Sequence, residues 1–385
     1  MPQLVLLLLC CTVSAAIAYY SIPAIIRVAN AKHLFDHPNE RNVTTQVVPT
    51  LGGVAIFLGI SISTTLFSFQ QTFNELPYIL VAAILILFVG LKDDLMNLSP
   101  RKKLIAQIAV AGILAVFADI RFTNLHGLLG FNEISYYASI PITIFTFIVM
   151  INAINLIDGI DGLASGVAIL SSLTFGIWFA INQHTSMAII AFAAVGALIA
   201  FFKFNVFGKK NKIFMGDTGS LLLGFFLAIM VIKFNELNAY AINPIAIKNA
   251  PAISYAIMIV PLTDTLRVFA IRLARKQSPF KADKIHTHHN LLDWGFSHLQ
   301  ATLIILAANI VFIAIVMMVQ SINIYLLLGA IVSSGMLMGC APKCLLKFKP
   351  KDNELKAFIL QPATSKVSSF KINIDESPKE LELVE

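Results

Sequence analysis

The chain has 385 residues, of which 57% are hydrophobic and only 13% are charged. Soluble globular domains carry about a quarter charged residues, so this composition excludes an ordinary soluble protein and indicates helices that are solvated by lipid. The formal net charge of +7 would favour a nucleic-acid partner in a soluble protein, but membrane proteins use loop cations to fix their orientation, and we predict no nucleic-acid partner.

Apolar segments of membrane-spanning length recur from one end of the chain to the other. They predict an all-α fold: a polytopic membrane helix bundle with about 11 transmembrane helices. The segments are residues 3–28, 51–69, 77–91, 104–119, 138–155, 163–181, 187–203, 219–233, 250–271, 299–319 and 321–340. The first segment lacks the basic residues that begin a signal peptide, so we expect it to remain as an uncleaved helix.

Lysine and arginine residues fall mostly on one side of these predicted helices. Of the 28 Lys and Arg residues in the chain, only Arg121, Lys233 and Lys248 fall on the other side. Because cytoplasmic loops of membrane proteins are enriched in Lys and Arg, the N-terminus is predicted outside and the C-terminus in the cytoplasm.

Two adjacent carboxylates, Asp93 and Asp94, stand at the cytoplasmic end of the third segment. Such a pair repels itself and loses hydration, so a divalent cation or a cationic substrate complex would stabilise it. A solvated turn beside Arg101, Lys102 and Lys103 explains the pair equally well. Taken in isolation, the acidic pair leaves both interpretations open.

Polar residues recur at every third position in the segment NAINLIDGIDG. They are Asn152, Asn155, Asp158 and Asp161. Side chains three residues apart drift only slowly around a helix, so several of them can converge on one ligand. A helix-capping turn would explain one aspartate but not all four residues, and polar residues at membrane depth favour function.

A glycine-rich turn in KIFMGDTGS precedes the eighth segment. Backbone N–H groups at the start of a helix suit phosphate, and Asp217 beside them suits Mg²⁺. No Gly-Lys-Ser/Thr follows at Walker spacing, which excludes a P-loop. As a bare helix cap Asp217 would be ordinary, but the other acidic loops on the same membrane face favour function.

Three histidines lie among cations in the loop RKQSPFKADKIHTHH: His286, His288 and His289, with Arg267 in the preceding helix. A zinc site is the alternative, but the loop has neither HExxH spacing nor a nearby cysteine. Contacts to phosphate therefore fit these residues better.

The four sites together supply carboxylates for a metal and cations for phosphates along one face of an apolar bundle. This combination predicts an enzyme that joins a soluble phosphorylated metabolite to a lipid phosphate, where positioning and electrostatics supply most of the catalysis. A membrane transporter or lipid flippase is the alternative from another class, and its site would lie near the bilayer midplane.

Five motifs in one order resemble the polyprenyl-phosphate N-acetylhexosamine-1-phosphate transferases. They are VPTLGG (48–53), LKDDL (91–95), NAINLIDGIDGLA (152–164), FMGDTGS (214–220) and HTHH (286–289). The resemblance implies transfer of a sugar-1-phosphate from a UDP-sugar to undecaprenyl phosphate, with release of UMP. It also implies a bacterial inner-membrane location, an active site that faces the cytoplasm, and an Mg²⁺ cofactor for which Mn²⁺ is a substitute.

The same resemblance implies roles for individual residues. Asp93 and Asp94 would be catalytic, with Asp93 as the base or as the group that orients the nucleophile. The implied metal ligands are Asp217, Asp94 and Asp158. The implied nucleotide and substrate contacts are Asn152, Asn155, Asp158, Asp161, Asn205, Phe214 (against uracil), Arg267, His286, His288 and His289.

The histidine motif HTHH, with SPFKAD before it, resembles the motif of the branch that transfers GlcNAc-1-phosphate. That branch initiates O-antigen, enterobacterial antigen or teichoic acid. UDP-GlcNAc is therefore the preferred donor, with UDP-MurNAc-pentapeptide or another UDP-HexNAc as alternatives. Residues 41–44 (RNVT) depart from the Arg-Lys-x-His of related sequences, which bears on the donor. We predict a transmembrane catalytic domain over residues 1–341 and a cytoplasmic tail over residues 342–385, with tail disorder and a homodimer as open alternatives.

Overall fold

The structure is a computed structural model that describes residues 2–32, 34–36, 48–69, 71–240, 247–277 and 285–346. Its helices are α1 Gln3–Lys32, α2 Gly52–Phe67, α3 Leu76–Met96, α4 Pro100–Phe117, α5 Tyr136–Ile157, α6 Leu163–Ile181, α7 Thr185–Phe207, α8 Gly216–Ala239, α9 Ala250–Ile257, α10 Ile259–Ala274, α11 Thr287–Asp293, α12 His298–Met318 and α13 Ile324–Leu346. Two short strands, β1 Phe35–Asp36 and β2 Val48–Pro49, pair antiparallel.

The predicted all-α, polytopic membrane fold is confirmed. Within the described residues, seven helices are long and apolar enough to cross a membrane: α1, α5, α6, α7, α8, α12 and α13. The shorter helix α2 is also apolar. The predicted count of eleven spans and the predicted orientation stay predictions.

The predicted segment 250–271 is divided into two helices, α9 and α10, which break after Ile257. The cause is Pro261, because a proline has no N–H for the carbonyl four residues earlier and its ring collides with that carbonyl. The Ile257 carbonyl instead accepts hydrogen bonds at 3.4 Å from Ser171 of α6 and Asn309 of α12. Neighbouring helices thus satisfy the backbone group that the break leaves open.

Helix α8 is the centre of the bundle. Its residues from Thr218 to Ile232 are all buried, and α3, α5, α2 and α6 pack around it. A helix that is apolar on every side has to be covered on every side. The first turn of α8 is therefore the point where the ends of several other helices converge.

Residues up to Leu346 form one compact unit. Helix α13 runs past the predicted boundary at residue 341 and ends at Leu346. Residues 347–385, which hold most of the predicted tail, and residues 41–44 lie outside the described residues. The predicted domain boundary stays a prediction.

Candidate active site

Asp94, at the end of α3, caps the first turn of α8. One carboxylate oxygen accepts the N–H of Asp217 at 2.8 Å, and the other accepts the N–H of Thr218 at 3.0 Å and its hydroxyl. Asp94 lies beyond the apolar stretch of α3, and burial raises its pKa to about 7. This contact fixes Asp217 against the end of α3.

The VPTLGG motif holds the FMGDTGS motif in place through backbone hydrogen bonds. The N–H of Phe214 donates to the Pro49 carbonyl at 2.8 Å, and the N–H of Gly52 donates back to the Phe214 carbonyl at 3.0 Å. A side chain on Gly53 would place its Cβ 2.2 Å from the nitrogen of Gly219 in α8, so only glycine allows this approach.

Lys103, in the first turn of α4, joins two of the predicted acidic sites. Its ammonium group contacts the carboxylate of Asp93 and lies 2.6 Å from Oδ2 of Asp217. On the other side of Asp217, the Asn155 amide donates to Oδ1 at 2.8 Å. Burial, followed by the contact with Asp217, raises the pKa of Asp93 to about 6.

Asp158, directly after α5, lacks the hydrogen bonds that the neighbouring carboxylates Asp93, Asp94 and Asp217 accept. Among the residues that the structure describes, none donates a hydrogen bond to its side chain. Burial, and then the negative charges of Asp217 and Asp94, raise its pKa to about 8. Crowded carboxylates of this kind are stabilised when a divalent cation takes the place of their protons.

Asp161, three residues further on, is compensated instead. Its Oδ2 lies 2.7 Å from Nζ of Lys212 and 3.0 Å from Nδ1 of His298. Burial alone would raise the pKa of Asp161, but the hydrogen bonds from His298 and Lys212 outweigh it and hold the pKa below its ordinary value.

These side chains line one cavity of about 410 Å³ at one end of the bundle. The predicted site residues that line it are Asp93, Asp94, Asn155, Asp158, Asp161, Asn205, Phe214, Asp217 and His289. Lys103 and His298 line it as well, and neither of them is among the predicted site residues. The acidic motifs therefore meet in space as predicted, and their individual roles stay predictions.

Asn205 reaches this cavity from α7 and links two of the motifs. Its Oδ1 accepts the N–H of Gly162 at 2.7 Å, and its Nδ2 donates to the Ile213 carbonyl at 3.0 Å. One amide thus connects the turn after α5 with the segment that precedes α8.

Four predicted site residues are absent from the cavity lining. Asn152 donates to Gln107 of α4 at 2.8 Å and to the Ile148 carbonyl at 2.7 Å, between α4 and α5. The other three are Arg267, His286 and His288, all of which are buried.

Asp264 of α10 binds the first two residues of the histidine motif. Its carboxylate accepts from the Arg267 guanidinium at 2.9 Å and the Thr287 N–H at 2.9 Å, and lies 2.7 Å from Nδ1 of His286. A buried ion pair that has further hydrogen bonds is costly to break, because either partner alone would be an uncompensated charge. This network connects α10 to the start of α11.

His288 is the inner anchor of α11. It packs against the backbone of Gly159, and its ring is tilted by 48° against the ring of His289, with ring centroids 4.3 Å apart. Burial, then the neighbouring His289, lowers the pKa of His288 to about 3, so its ring is neutral at physiological pH. Among the three histidines of the motif, His289 is the one that lines the cavity.

The donor atoms of the cavity determine which metal it fits. Within the described ranges, no three His, Cys, Asp or Glu side chains are arranged around one point so as to hold a metal by themselves. Mg²⁺ does not require such a cage, since it binds through one or two carboxylates, waters and substrate phosphates. Asp158 and Asp217 supply two carboxylates on the same cavity, and these oxygen donors fit Mg²⁺ better than zinc.

Residues 76–235 match a protein family model described as glycosyl transferase family 4. This stretch runs from α3 to α8 and includes every acidic residue of the cavity.

Named proteins are also similar over most of their length. Undecaprenyl-phosphate alpha-N-acetylglucosaminyl 1-phosphate transferase of Escherichia coli (strain K12) is 30% identical over 291 residues, which cover 73% of this chain and 75% of the relative. The protein of the same name from Salmonella typhi is 31% identical over 295 residues, covering 74% and 76%. A Bacillus subtilis (strain 168) protein named "Probable undecaprenyl-phosphate N-acetylglucosaminyl 1-phosphate transferase" is 29% identical over 312 residues, covering 79% and 82%.

Proposed function

Because this chain belongs to glycosyl transferase family 4, we propose that it transfers a sugar-1-phosphate from a UDP-sugar to undecaprenyl phosphate and releases UMP. The proposed donor is UDP-GlcNAc, since the relatives are named as N-acetylglucosaminyl 1-phosphate transferases. The product would be the first lipid-linked intermediate of a cell-surface polysaccharide. The observation that carries the proposal is one cavity at the end of an apolar bundle, where Asp93, Asp158 and Asp217 meet Lys103.

Mg²⁺ is the proposed cofactor, with Mn²⁺ as a substitute, and Asp217 and Asp158 are its proposed ligands. The chemistry that the ion supplies when bound is neutralisation of charge on the phosphate oxygens. Asp94 supports the site by holding the N–H groups of Asp217 and Thr218.

In the proposed reaction an oxygen of the lipid phosphate attacks the β-phosphorus of the UDP-sugar. The new P–O bond forms as the bond from the β-phosphorus to the bridging oxygen breaks, and UMP leaves with that oxygen and its electron pair. The second pKa of a phosphate monoester is about 6, so most of the acceptor needs no base at neutral pH. We therefore assign Asp93 to orienting the acceptor, and Lys103, which contacts it, to stabilising the negative charge.

The proposed location is the bacterial inner membrane, with the cavity on the cytoplasmic side and the N-terminus outside. Only Arg121, Lys233 and Lys248 of the 28 Lys and Arg residues fall on the opposite side, which supports this orientation. The proposed eleven spans are the seven long apolar helices, α2, α3, α4 and the pair α9–α10. This leaves α11 as a surface helix beside the cavity.

A covalent assay tests the proposal. The full-length protein would be incubated with undecaprenyl phosphate, Mg²⁺ and UDP-GlcNAc labelled in the sugar, and both a lipid-linked sugar phosphate and UMP are expected. Parallel reactions with UDP-MurNAc-pentapeptide and other UDP-HexNAc donors would identify the preferred donor. Movement of lipid or nucleotide across the membrane without any covalent product would contradict the transferase and favour the transporter.

A further inference from the structure

Every oxygen of the two carboxylates Asp93 and Asp217 accepts from a donor within the protein. Oδ1 of Asp93 accepts the N–H of Leu98 at 2.6 Å, and its Oδ2 contacts the Lys103 ammonium. Oδ1 of Asp217 accepts the Asn155 amide at 2.8 Å, and its Oδ2 lies 2.6 Å from Nζ of Lys103. A metal ion that binds either carboxylate therefore competes with one of these donors.

Lys103 is the cation that compensates this pair of carboxylates. Within the described ranges, no other Lys, Arg or His side chain forms an ion pair with Asp93 or Asp217. The two aspartates lie in the last turn of α3 and the first turn of α8, and Lys103 lies in the first turn of α4. A metal ion on Oδ2 of Asp217 would share that oxygen with the ammonium group, and the two positive charges would repel each other.

Among these donors, Lys103 is the one that can leave. The Asn155 amide is fixed by a second hydrogen bond, to the hydroxyl of the buried residue Ser220 at 2.8 Å. The Leu98 donor is a backbone N–H. The Lys103 ammonium, in contrast, is carried on a flexible four-carbon chain that is 25% exposed and lines the cavity. It can therefore turn to another acceptor in the cavity while α4 stays in place.

We propose that Lys103 holds the Asp217 oxygen that Mg²⁺ uses, and that Lys103 leaves this oxygen for the substrate phosphates when the metal binds. The inference rests on the proposed function, because it takes Mg²⁺ as the cofactor. Before the exchange the ammonium group compensates Asp93 and Asp217, and after it the ammonium group is available to phosphate oxygens. Binding of the phosphates is thus coupled to binding of the metal.

The test measures Mg²⁺ binding without substrate, by isothermal titration of the full-length protein in lipid nanodiscs at pH 8.5, where protons compete least for the carboxylates. Lys103→Met should bind Mg²⁺ about tenfold more tightly than the wild type, as expected if Lys103 occupies the site for about nine-tenths of the time. In EDTA this variant should unfold at a lower temperature than the wild type, since Asp93 and Asp217 lose their compensation. Saturating Mg²⁺ should raise its unfolding midpoint by more than that of the wild type.

Two control variants separate displacement from a general effect of charge. Lys102→Met removes a charge from the exposed position beside Lys103, and Lys212→Met removes the cation that contacts Asp161. Both should bind Mg²⁺ within about twofold of the wild type, because screening weakens the effect of charges that do not contact the site. Lys103→Arg keeps the charge and can hold both carboxylates with its planar fork, so it should bind Mg²⁺ more weakly than the wild type. If Lys103→Met fails to fold in EDTA, Lys103→Arg decides.

An Mg²⁺ affinity of Lys103→Met that equals or falls below that of the wild type would overturn the inference, while the transferase would stand. Equal gains in Lys103→Met and Lys212→Met would also overturn it, since they indicate an effect of cavity charge rather than displacement. If the wild-type protein forms no lipid-linked product with any UDP-sugar, the proposed function fails, whereas the Mg²⁺ titrations still decide the exchange at Lys103. Absence of Mg²⁺ binding by both the wild type and Lys103→Met would end the proposed cofactor and the inference together.

Discussion

Asp217 is held between side chains from two other helices, Lys103 of α4 and Asn155 of α5. Its own N–H is held by Asp94. The backbone contact does not depend on the charge of the Asp217 side chain, so the fold of the first turn of α8 should survive when that charge is removed.

We predict that Asp217→Asn lowers kcat by at least about a hundredfold, because the variant loses a negative oxygen ligand for the metal and the phosphates. Sugar transfer is measured with labelled donor, and thermal unfolding in detergent serves as the control, with a midpoint close to that of the wild type. Near-normal turnover would remove Asp217 from the metal site.

The raised pKa of Asp158, about 8, makes a second prediction at the residue scale. Below that pH the metal-free carboxyl holds a proton, which a metal ion has to displace. The affinity for Mg²⁺ should therefore be weak at pH 6.5 and should rise as the pH increases to 8.5. If binding displaces one proton, the affinity rises by up to about tenfold per pH unit. Isothermal titration in buffers of different ionisation enthalpy measures both affinity and proton release.

Asp158→Asn is the control for this pH dependence. The variant has no carboxyl proton at that position, so its residual Mg²⁺ affinity should vary much less between the two pH values. An affinity of the wild type that does not change with pH would contradict the role of Asp158.

At the scale of elements, α3 and α8 touch through their backbones. A Cβ on Gly90 of α3 would lie 2.4 Å from the Cα of Thr218, the residue after Asp217. A contact this short cannot be relieved by rotating a side chain, so one helix would have to move. The acidic pair at the end of α3 and the first turn of α8 are therefore coupled by this packing.

We predict that Gly90→Ala destabilises the protein by about 1–3 kcal/mol, as overpacking of a core does, and that it lowers activity by moving Asp217. Gly112→Ala in α4 is the matched control, because outside the adjacent turns of α4 no atom of the described residues lies within 4 Å of the added Cβ. Thermal unfolding and sugar transfer are measured for both. Equal stability of the two variants would show that the backbone contact between α3 and α8 does not contribute to the stability of the protein.

The break between α9 and α10 also acts at this scale. It follows from Pro261, and its open carbonyl is satisfied from α6 and α12. Helix α10 then carries Asp264, which binds Thr287 at the start of α11. A proline in one span thereby contributes to the placement of the histidine motif beside the cavity.

At the scale of the whole molecule, the cavity residues come from the ends of α3, α5 and α7 and from the starts of α4, α8 and α12. All of these ends lie on one side of the bundle. A soluble donor would reach them from one compartment, whereas a transporter needs a site that opens to both sides.

Single cysteines test the proposed orientation, in a background without the native cysteines. We expect a membrane-impermeant maleimide to label Asn132→Cys, in the α4–α5 connection, in intact spheroplasts. Lys210→Cys, in the connection between α7 and α8, should be labelled only after the membrane is permeabilised. The reverse pattern would place the cavity outside the cytoplasm and contradict the proposed access of the donor.

The amino-acid sequence alone determined the features that depend on neighbouring residues. Long apolar runs require helices in lipid, because backbone groups in a bilayer must be paired within the segment. The polar motifs are readable for the same reason: Asp93 and Asp94, or Asn155 and Asp158, stand out against an apolar background. The order of these motifs along the chain was sufficient to identify the family.

Only the tertiary structure decided which distant side chains these motifs meet. Lys103 contacts Asp217, 114 positions away, and His298 contacts Asp161, 137 positions away. In the sequence, Lys103 is one of several cations in a basic loop, and no pattern singles out His298. It also gives three histidines equal weight, although burial places two of them on Asp264 and Gly159 and one at the cavity. Periodicity reports the face of one helix, whereas these contacts depend on how separate helices pack.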